Sequence, residues 1–336
     1  MGSLGGAILV FVVSAAVVII AGVNLARFGD ELAEVTGWGH LWVGTILVAI
    51  ATSLPELTVN ISAVAFEDSP ELALGNVFGA NMMNVVVMGI VALMFGVRNV
   101  WATDSRDIPI LMLVGIGLVA LTAAMGASGD VKLGPASLGG LLIAVAYIAG
   151  MNAVYKAGRT DTGTDTDAGT DEGSGSKGNA RRAWIGFGIA ALVVIVAARY
   201  LASSADSIAE LTGISASFIG VLLVSFVTTL PEGSVTIAAA LRKSYGIVVG
   251  NVYGSCAFNV FILSISDLFY PAGPLAAAMG KEHFAAAAAA FGLMGIGYLI
   301  MRSTRSPSMA WGRGLTLAIP MIYVVALYVV FTLGQR

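Results

Sequence analysis

Charge and cysteine are both scarce in this sequence. Only 11% of its 336 residues are charged and the formal net charge is -3, whereas about 25% of residues are charged in an average soluble domain. The single cysteine, Cys256, excludes an internal disulfide bond. The sequence has neither a basic run nor an excess of positive charge, which excludes nucleic acid as a partner. This composition is not that of a soluble domain.

Apolar residues dominate instead. They make up 57% of the chain, and the mean hydropathy is +0.90. Because the apolar runs are continuous rather than alternating, they predict an all-α polytopic protein in a lipid bilayer. Ten runs approach or exceed the roughly 20 residues that cross the hydrocarbon core. The ten predicted spans are residues 4–24, 41–65, 72–97, 108–128, 134–155, 183–204, 214–241, 245–270, 284–301 and 311–333.

The chain contains one pattern twice. VGTILVAIATSLPELTVNISAV (43–64) aligns with IGVLLVSFVTTLPEGSVTIAAA (219–240), an offset of 219 − 43 = 176. Downstream, GNVFGANMMN (75–84) aligns with GNVYGSCAFN (250–259) at an offset of 175. Each half carries five predicted spans, an odd number, so the second half enters the membrane upside down. Inverted repeats of this kind are a transporter architecture, with the substrate site at the midplane between the halves.

The repeat predicts the domain organisation. Residues 1–155 form a first five-helix repeat with its motif at 43–84, and residues 183–336 form a second with its motif at 219–259. Residues 156–182, rich in Gly, Thr and Asp, are predicted to be a disordered linker. With the N-terminus outside, 13 Lys and Arg residues fall on the linker side and 4 on the opposite side. The positive-inside rule then places both termini outside and the linker in the cytoplasm. The short loops favour a prokaryotic plasma membrane.

Two charged side chains occur deep in the apolar runs, Glu56 and Glu232, at matching positions of the two halves. A carboxylate at the bilayer centre costs roughly 2.5–3.5 kcal/mol on insertion scales. Neither Lys nor Arg occurs at this depth, so a bound cation is the simplest partner. Two carboxylates neutralise one divalent ion, and the pair therefore predicts a cation site at the midplane.

Oxygen ligands accompany each glutamate. Thr52 and Ser53 lie one helical turn before Glu56, and Thr228 and Thr229 stand in the same relation to Glu232. The proline before each glutamate has no N–H, so it tends to free the carbonyl four residues earlier for an ion. Carboxylate, hydroxyl and carbonyl oxygens suit Ca²⁺ and Na⁺. The glutamates have no His or Cys cluster beside them, which argues against zinc or copper.

The second motif adds amides. Asn84 and Asn259 end the motif at matching positions and are predicted to be site residues. For Asn76, Asn81 and Asn251, helix packing and a role in the site remain equally open.

For other polar residues, the sequence predicts structural roles rather than ion binding. Cys256 is predicted to be a small packing residue and His283 to be interfacial. The repeat-matched segments DELAEVTG (30–37) and DSIAELTG (206–213) are predicted to be loops whose carboxylates cap or solvate helix ends.

The motifs ATSLPE…GNVFGANMMN and VTTLPE…GNVYGSCAFN resemble the two α-repeats of the cation/calcium antiporter superfamily, most closely its sodium/calcium exchangers. This resemblance implies ten helices, exchange of cytosolic Ca²⁺ for Na⁺, and alternating access in which the first helix of each half slides across a fixed core. It also implies roles for individual residues. Glu56 and Glu232 would be the central calcium ligands, Thr52 and Thr228 would offer carbonyls, Ser53 and Thr229 hydroxyls, and Asn84 and Ser255 would help to bind sodium.

Two positions depart from the family pattern. Ala80 stands where the family usually has serine, and Asn259 where many members have aspartate. Because these changes weaken sodium sites more than the calcium site, a divalent-cation/H⁺ antiporter stays open as an alternative. A passive channel ranks lower, since it needs no second access state. An intramembrane hydrolase ranks lower as well, since the sequence has neither a nucleophile elbow nor an HExxH motif. We expect a monomer without a cofactor, with the ions as substrates.

Overall fold

The computed structural model describes residues 3–36, 52–102, 105–161, 177–304 and 310–335. The helices of the first half are α1 Leu4–Thr36, α2 Leu54–Phe66, α3 Pro70–Phe95, α4 Val97–Trp101, α5 Asp107–Ser128 and α6 Leu138–Asp161. Those of the second half are α7 Lys177–Thr212, α8 Ala216–Thr228, α9 Leu230–Leu241, α10 Tyr245–Asp267, α11 Lys281–Ser303 and α12 Ala310–Gly334. Helix α8 contains a π-helical turn at Gly220–Val224, and a 3₁₀ turn covers Leu275–Ala278.

Eight of these helices are long and apolar enough to cross a bilayer, and the bent pair α8 and α9 would make a ninth. The two members of that pair meet at an angle of 46°. The predicted span 41–65 lies partly outside the described residues, and its visible part, α2, is too short to cross alone. The number of ten spans therefore stays a prediction.

Two segments predicted to be loops are helical. Residues 30–36 form the last turns of α1, and residues 206–212 form the last turns of α7. Alanine, leucine and glutamate favour helix, and their acidic neighbours do not interrupt the hydrogen-bond ladder.

At the other end of the first half, a hairpin precedes α6: β1 (Lys132–Leu133) pairs antiparallel with β2 (Ala136–Ser137), so α6 begins at Leu138 rather than at residue 134. Both ends of the predicted linker 156–182 continue neighbouring helices, and residues 162–176 lie outside the described part.

The centre of the bundle consists of α3 and α10. Helix α3 is buried on nearly all sides and packs against α2, α8, α10, α11 and α12. Helix α10 contacts α2, α3, α5, α6 and α9. Outside this centre, α1 and α7 pack along each other, and α7 also covers α2. The arrangement leaves α2 and α9 enclosed between the α1/α7 pair and the central helices.

A glycine seam allows α8 to approach α3 closely. A Cβ atom at Gly79 would lie 2.7 Å from Cα of Val221 and 2.8 Å from Cβ of Ser225. Gly75 similarly faces the backbone of Ser217. Close approach through small residues is a principal means of helix association in a bilayer, where the lipid is as apolar as the side chains.

A set of hydrogen bonds joins the two halves at one end of the bundle. The ammonium of Lys132 donates to the carbonyl oxygens of Asp267, Tyr270 and Gly273, at 3.3, 2.8 and 2.9 Å. The buried carboxylate of Asp267 accepts from the backbone amides of Ser137 and Leu275. These bonds hold the hairpin of the first half against the end of α10.

Candidate cation site

Glu56 and Glu232 each lie in the first turn of a helix that begins inside the bundle. Pro55 and Pro231 occupy the first positions of α2 and α9, where the missing N–H leaves no intrahelical bond unmade. The prolines therefore begin new helices rather than kink continuous ones. The unpaired amides of the first turn carry partial positive charge, which favours an anionic side chain there. The carbonyl of Val227 finds no N–H at Pro231, but it accepts from the backbone amide of Thr229, so the structure does not leave it free as the sequence predicts. Its counterpart at Ala51 lies outside the described residues.

The two carboxylates meet at the interface of the halves. Both side chains are buried, with 0% and 1% of the residue exposed, and Glu232 is close enough to repel the Glu56 carboxylate. Ser53 Oγ donates to Glu232 Oε1 at 3.2 Å. The described residues place neither glutamate in a salt bridge. Two buried like charges without a counter-ion destabilise each other, so this arrangement favours binding of a cation.

The contacts around the glutamates are reciprocal. The hydroxyl of Thr52, from the first half, faces Glu232, and that of Thr228, from the second half, faces Glu56. Thr52 and Thr228 are repeat mates, since 228 − 52 = 176. Each of these threonines therefore faces the glutamate of the other half.

Several polar atoms at the site make no hydrogen bond with the described residues. They are both carboxylate oxygens of Glu56, Glu232 Oε2, Thr229 Oγ1, Ser255 Oγ, Asn84 Nδ2 and Asn259 Oδ1. A buried polar atom without a partner costs free energy. Most of these atoms are oxygens, so a hard cation can satisfy several of them at once.

Amides support the helices that carry the glutamates. In the first half, Asn76 Nδ2 donates to Asn60 Oδ1 at 2.8 Å; in the second, Asn251 Nδ2 donates to Thr236 Oγ1 at 3.0 Å. Asn60 and Thr236 follow their glutamates by four residues and were missed by the sequence reasoning, although their matched positions were a usable signal. Asn251 also donates to the backbone carbonyl of Glu232 at 3.2 Å.

The asparagine side chains also bond to a hydroxyl of the site and to each other where α3 and α10 cross. Thr228 Oγ1 lies 3.3 Å from Asn76 Oδ1, so Asn76 joins helix packing to the site itself. Asn259 Nδ2 donates to Asn81 Oδ1 at 3.2 Å. The thiol of Cys256 lies 3.8 Å from the carbonyl oxygen of Asn81, its own repeat mate. Cys256 thus makes a polar contact with the other half and is not only a packing residue.

All nine residues predicted for the site are buried. Thr52, Ser53, Glu56, Asn84, Thr228, Thr229, Glu232, Ser255 and Asn259 are at most 2% exposed. The structure brings the two glutamates together with Thr52, Ser53 and Thr228. The remaining four lie on α3, α10 and the junction between α8 and α9. Ala80, which lacks the hydroxyl of the family pattern, is also fully buried.

The ligand chemistry is that of a hard cation. Within the described ranges, no group of three or more His, Cys, Asp and Glu side chains is assembled. The site instead combines two carboxylates with neutral oxygens. His283 lies elsewhere, in the first turn of α11, and is only 1% exposed. Its ring accepts from the Gly280 amide and contacts the Glu71 carbonyl, so protein encloses it, and its depth in the bilayer stays a prediction.

Helix α1 crosses the site at a glycine. A Cβ atom at Gly22 would lie 2.6 Å from Cγ of Pro231 and 3.8 Å from Cγ of Pro55. One residue of α1 therefore contacts the first turn of both glutamate-bearing helices. Any movement of α1 across the bundle has to pass over these two proline rings.

Comparison with known proteins gives a consistent result. Residues 6–156 and 182–332 each match the family described as Sodium/calcium exchanger protein. The sodium/calcium exchanger MaX1 of Methanosarcina acetivorans is 27% identical over 274 residues, covering 73% of this chain and 78% of the relative. The inner membrane protein YrbG of Escherichia coli is 27% identical over 269 residues, covering 77% and 79%.

Solved structures show the same fold. The sodium-calcium exchanger NCX_Mj superimposes with a TM-score of 0.62 at 20% identity, covering 97% of this chain and 99% of the other. The H⁺/Ca²⁺ exchanger CAX gives a TM-score of 0.66 at 13% identity, covering 98% and 91%.

Proposed function

The chain belongs to the sodium/calcium exchanger protein family, and we propose that it exchanges Ca²⁺ for Na⁺ across the membrane as a secondary active antiporter. The family match supports a membrane protein that exchanges cations. The choice of Ca²⁺ and Na⁺ rests chiefly on the burial of Glu56 beside Glu232 without a basic partner among the described residues.

The proposed site uses both carboxylates as the central ligands. Ser53 already approaches Glu232, and Thr228 faces Glu56, so hydroxyl oxygens lie next to the carboxylates. Ca²⁺ takes six to eight oxygen ligands, and Na⁺ is also a hard ion. Asn84, Thr229 and Ser255 supply further polar atoms that lack a hydrogen bond within the described residues. Either one Ca²⁺ or several Na⁺ neutralises the pair.

Exchange follows from the charge of the site. Without a cation, two carboxylates would have to face the apolar barrier during the change of access, which is costly. The loaded site is neutral or nearly so and can pass. We propose that α1 and α7 slide together across the centre formed by α3 and α10, because α1 and α7 pack along each other and α1 contacts the site through Gly22.

We also propose the full inverted architecture of ten helices, with residues 41–51 completing the second span. By the repeat, Gly254 on α10 corresponds to Gly79 on α3, and Thr45 corresponds to Val221 (221 − 176 = 45). The repeat then predicts that α10 is as closely packed at Gly254 as α3 is at Gly79. The reciprocal contacts of Thr52 and Thr228 support this relation.

This architecture predicts that valine at Gly254 is as damaging as valine at Gly79. The Gly79→Val side chain would collide with α8, and overpacking of this kind costs roughly 1–3 kcal/mol. No described atom lies within 4 Å of a Cβ at Gly254. Equal losses of thermal stability for the two variants in detergent are expected, measured by scanning fluorimetry.

Gly292→Val on α11 is the matched control, because a Cβ there also meets no described atom within 4 Å. Should Gly254→Val unfold at the same temperature as Gly292→Val, the proposed inverted architecture would be wrong.

A second candidate is a divalent-cation/H⁺ antiporter on the same frame. Asn259 donates to Asn81 and presents an amide where many relatives have a carboxylate, and Ala80 provides no hydroxyl. Both differences remove ligands for sodium rather than for calcium. Like the first candidate, it uses Glu56 and Glu232.

A flux experiment separates the two candidates. Proteoliposomes loaded with sodium and diluted into sodium-free buffer are expected to accumulate radioactive calcium, because outward sodium flow drives inward calcium. A matched set of proteoliposomes carries only a proton gradient, and its calcium uptake is expected to stay near background. Uptake in the second set alone would establish proton coupling, and uptake in neither set would contradict both candidates.

The orientation and location are part of the proposal. The excess of basic residues places the linker in the cytoplasm and both termini outside. We propose a monomer in a prokaryotic plasma membrane, with Ca²⁺ and Na⁺ as substrates.

A further inference from the structure

An open groove with a volume of about 420 Å³ runs between α1 and α7. The residues that define it are Val17, Asn24 and Phe28 on α1 and Gly186, Ile189 and Val193 on α7. The surface is almost entirely apolar, and Ile189 is 59% exposed. On two spanning helices, exposed apolar surface of this kind faces lipid rather than water.

The groove occupies one leaflet, at the linker end of the helix pair. Phe28, near the end of α1, lies against Gly186, which is close to the start of α7 and to the linker. From Val17 to Phe28 the groove follows α1 for about 16 Å, roughly half of the 30 Å hydrocarbon thickness. Its length is therefore that of a single leaflet.

Arginines stand at the linker end of this groove. On α7, Arg182 precedes Gly186 by one turn, so it extends the stripe of groove residues that continues to Val193. On α1, Arg27 adjoins Phe28. Arg27 and Arg182 are exposed, and Arg27 shares its charge with Glu31 at 3.1 Å. The described residues give Arg182 no ion pair.

The repeat does not place the same residues at the other end of the helix pair. The mates of Arg27 and Arg182 are Ser203 and Gly6 (27 + 176 and 182 − 176). The mate of Asn24 is Tyr200, which is bulkier. The two groove arginines therefore have no basic repeat mates; Arg199, the basic residue of α7 toward the other end, is paired with Glu67.

We propose that this groove binds an anionic phospholipid of the linker-side leaflet, with one acyl chain between α1 and α7 and the phosphate beside Arg27 and Arg182. The apolar walls match the chain, and the guanidinium groups match the phosphate. Binding requires only that α1 and α7 span the bilayer. Its consequence for transport rests on the proposed function, because a lipid held by both helices would bias the movement of the pair.

Native mass spectrometry of the full chain in mild detergent tests the binding directly. Phosphatidylglycerol and phosphatidylcholine with identical acyl chains are added in equal amounts, and the bound lipid is counted. The wild-type protein is expected to retain phosphatidylglycerol preferentially. The double variant Arg27→Gln/Arg182→Gln is expected to lose roughly 25-fold in this preference, from about fivefold for each basic residue near the lipid surface. Arg302→Gln/Arg313→Gln removes two other exposed arginines on the linker side and should retain the wild-type preference.

A second pair of variants tests whether an acyl chain occupies the groove. Val193→Trp fills the groove and is expected to reduce retention of both lipids, whereas Leu192→Trp places a tryptophan at an exposed position outside the groove and should have no effect. Equal retention of the two lipids by the wild-type protein, an unchanged preference in the arginine double variant, or equal effects of the two tryptophans would each overturn the proposal. The measurement needs no ion gradient, so its outcome is independent of the ion that the protein transports.

Discussion

Replacing either Glu56 or Glu232 by glutamine is expected to reduce calcium exchange by roughly thirtyfold or more, because truncating a charge at a buried charged contact costs about 2–5 kcal/mol. Both carboxylates are buried close to each other, so no solvent-exposed side chain can take over the role of the lost charge. Initial rates of radioactive calcium uptake into proteoliposomes measure the effect. Glu282→Gln is the control, since Glu282 binds Ser217 at the end of α11 and lies apart from the site.

The same variants have an opposite expected effect on stability without ions. Glutamine removes the repulsion between two buried carboxylates, so each variant should unfold at a higher temperature than the wild-type protein in calcium- and sodium-free buffer. Calcium should stabilise the wild-type protein by about 2.7 kcal/mol at a hundred times its dissociation constant and stabilise the variants far less. A folded variant that transports at the wild-type rate would contradict the assignment of the site.

Gly22→Leu is expected to reduce exchange by roughly tenfold to a hundredfold while calcium binding persists. The added side chain collides with Pro231 and reaches toward Pro55, at the point where α1 crosses the site. Overpacking costs about 1–3 kcal/mol, and the cost differs between the two access states if α1 slides over the prolines. Uptake rates and calcium-dependent thermal stabilisation, measured on the same preparation, separate transport from binding.

Gly5→Leu provides the control on the same helix, because a Cβ at Gly5 meets no atom within 4 Å among the described residues. If Gly22→Leu and Gly5→Leu transport equally well, α1 does not move across the proline rings in the proposed way. Loss of calcium-dependent stabilisation in Gly22→Leu would instead assign Gly22 to the geometry of the site.

Much of the site was predictable because two signals coincide in the sequence. Carboxylates in apolar runs are costly, and the repeat placed Glu56 and Glu232 at matching positions. The hydroxyl residues one turn before each glutamate were predicted to share its helical face, but the helices begin only at Leu54 and Leu230. Thr52, Ser53 and Thr228 reach the pair by a different route, because each faces the glutamate of the other half. The similarity to exchangers read from these motifs is confirmed by the family match.

Other features depended on contacts that local sequence does not specify. The bonds from Asn76 to Asn60 and from Asn251 to Thr236 are made between different helices, so the sequence left packing and site roles equally open for these asparagines. The segments 30–36 and 206–212 contain acidic residues typical of a loop, yet they continue α1 and α7. His283 lies near a span end in sequence, but bonds to Gly280 and Glu71 bury it.

The sequence by itself determined the membrane class, the repeat and the presence of two deep carboxylates, because each follows from composition or from spacing along one chain. Only the tertiary structure decided that Gly22 lies against both prolines, that Cys256 meets Asn81, and that a groove opens between α1 and α7. These features join residues of different helices. Their distances depend on how whole helices pack, and helical periodicity within one segment carries no information about that packing.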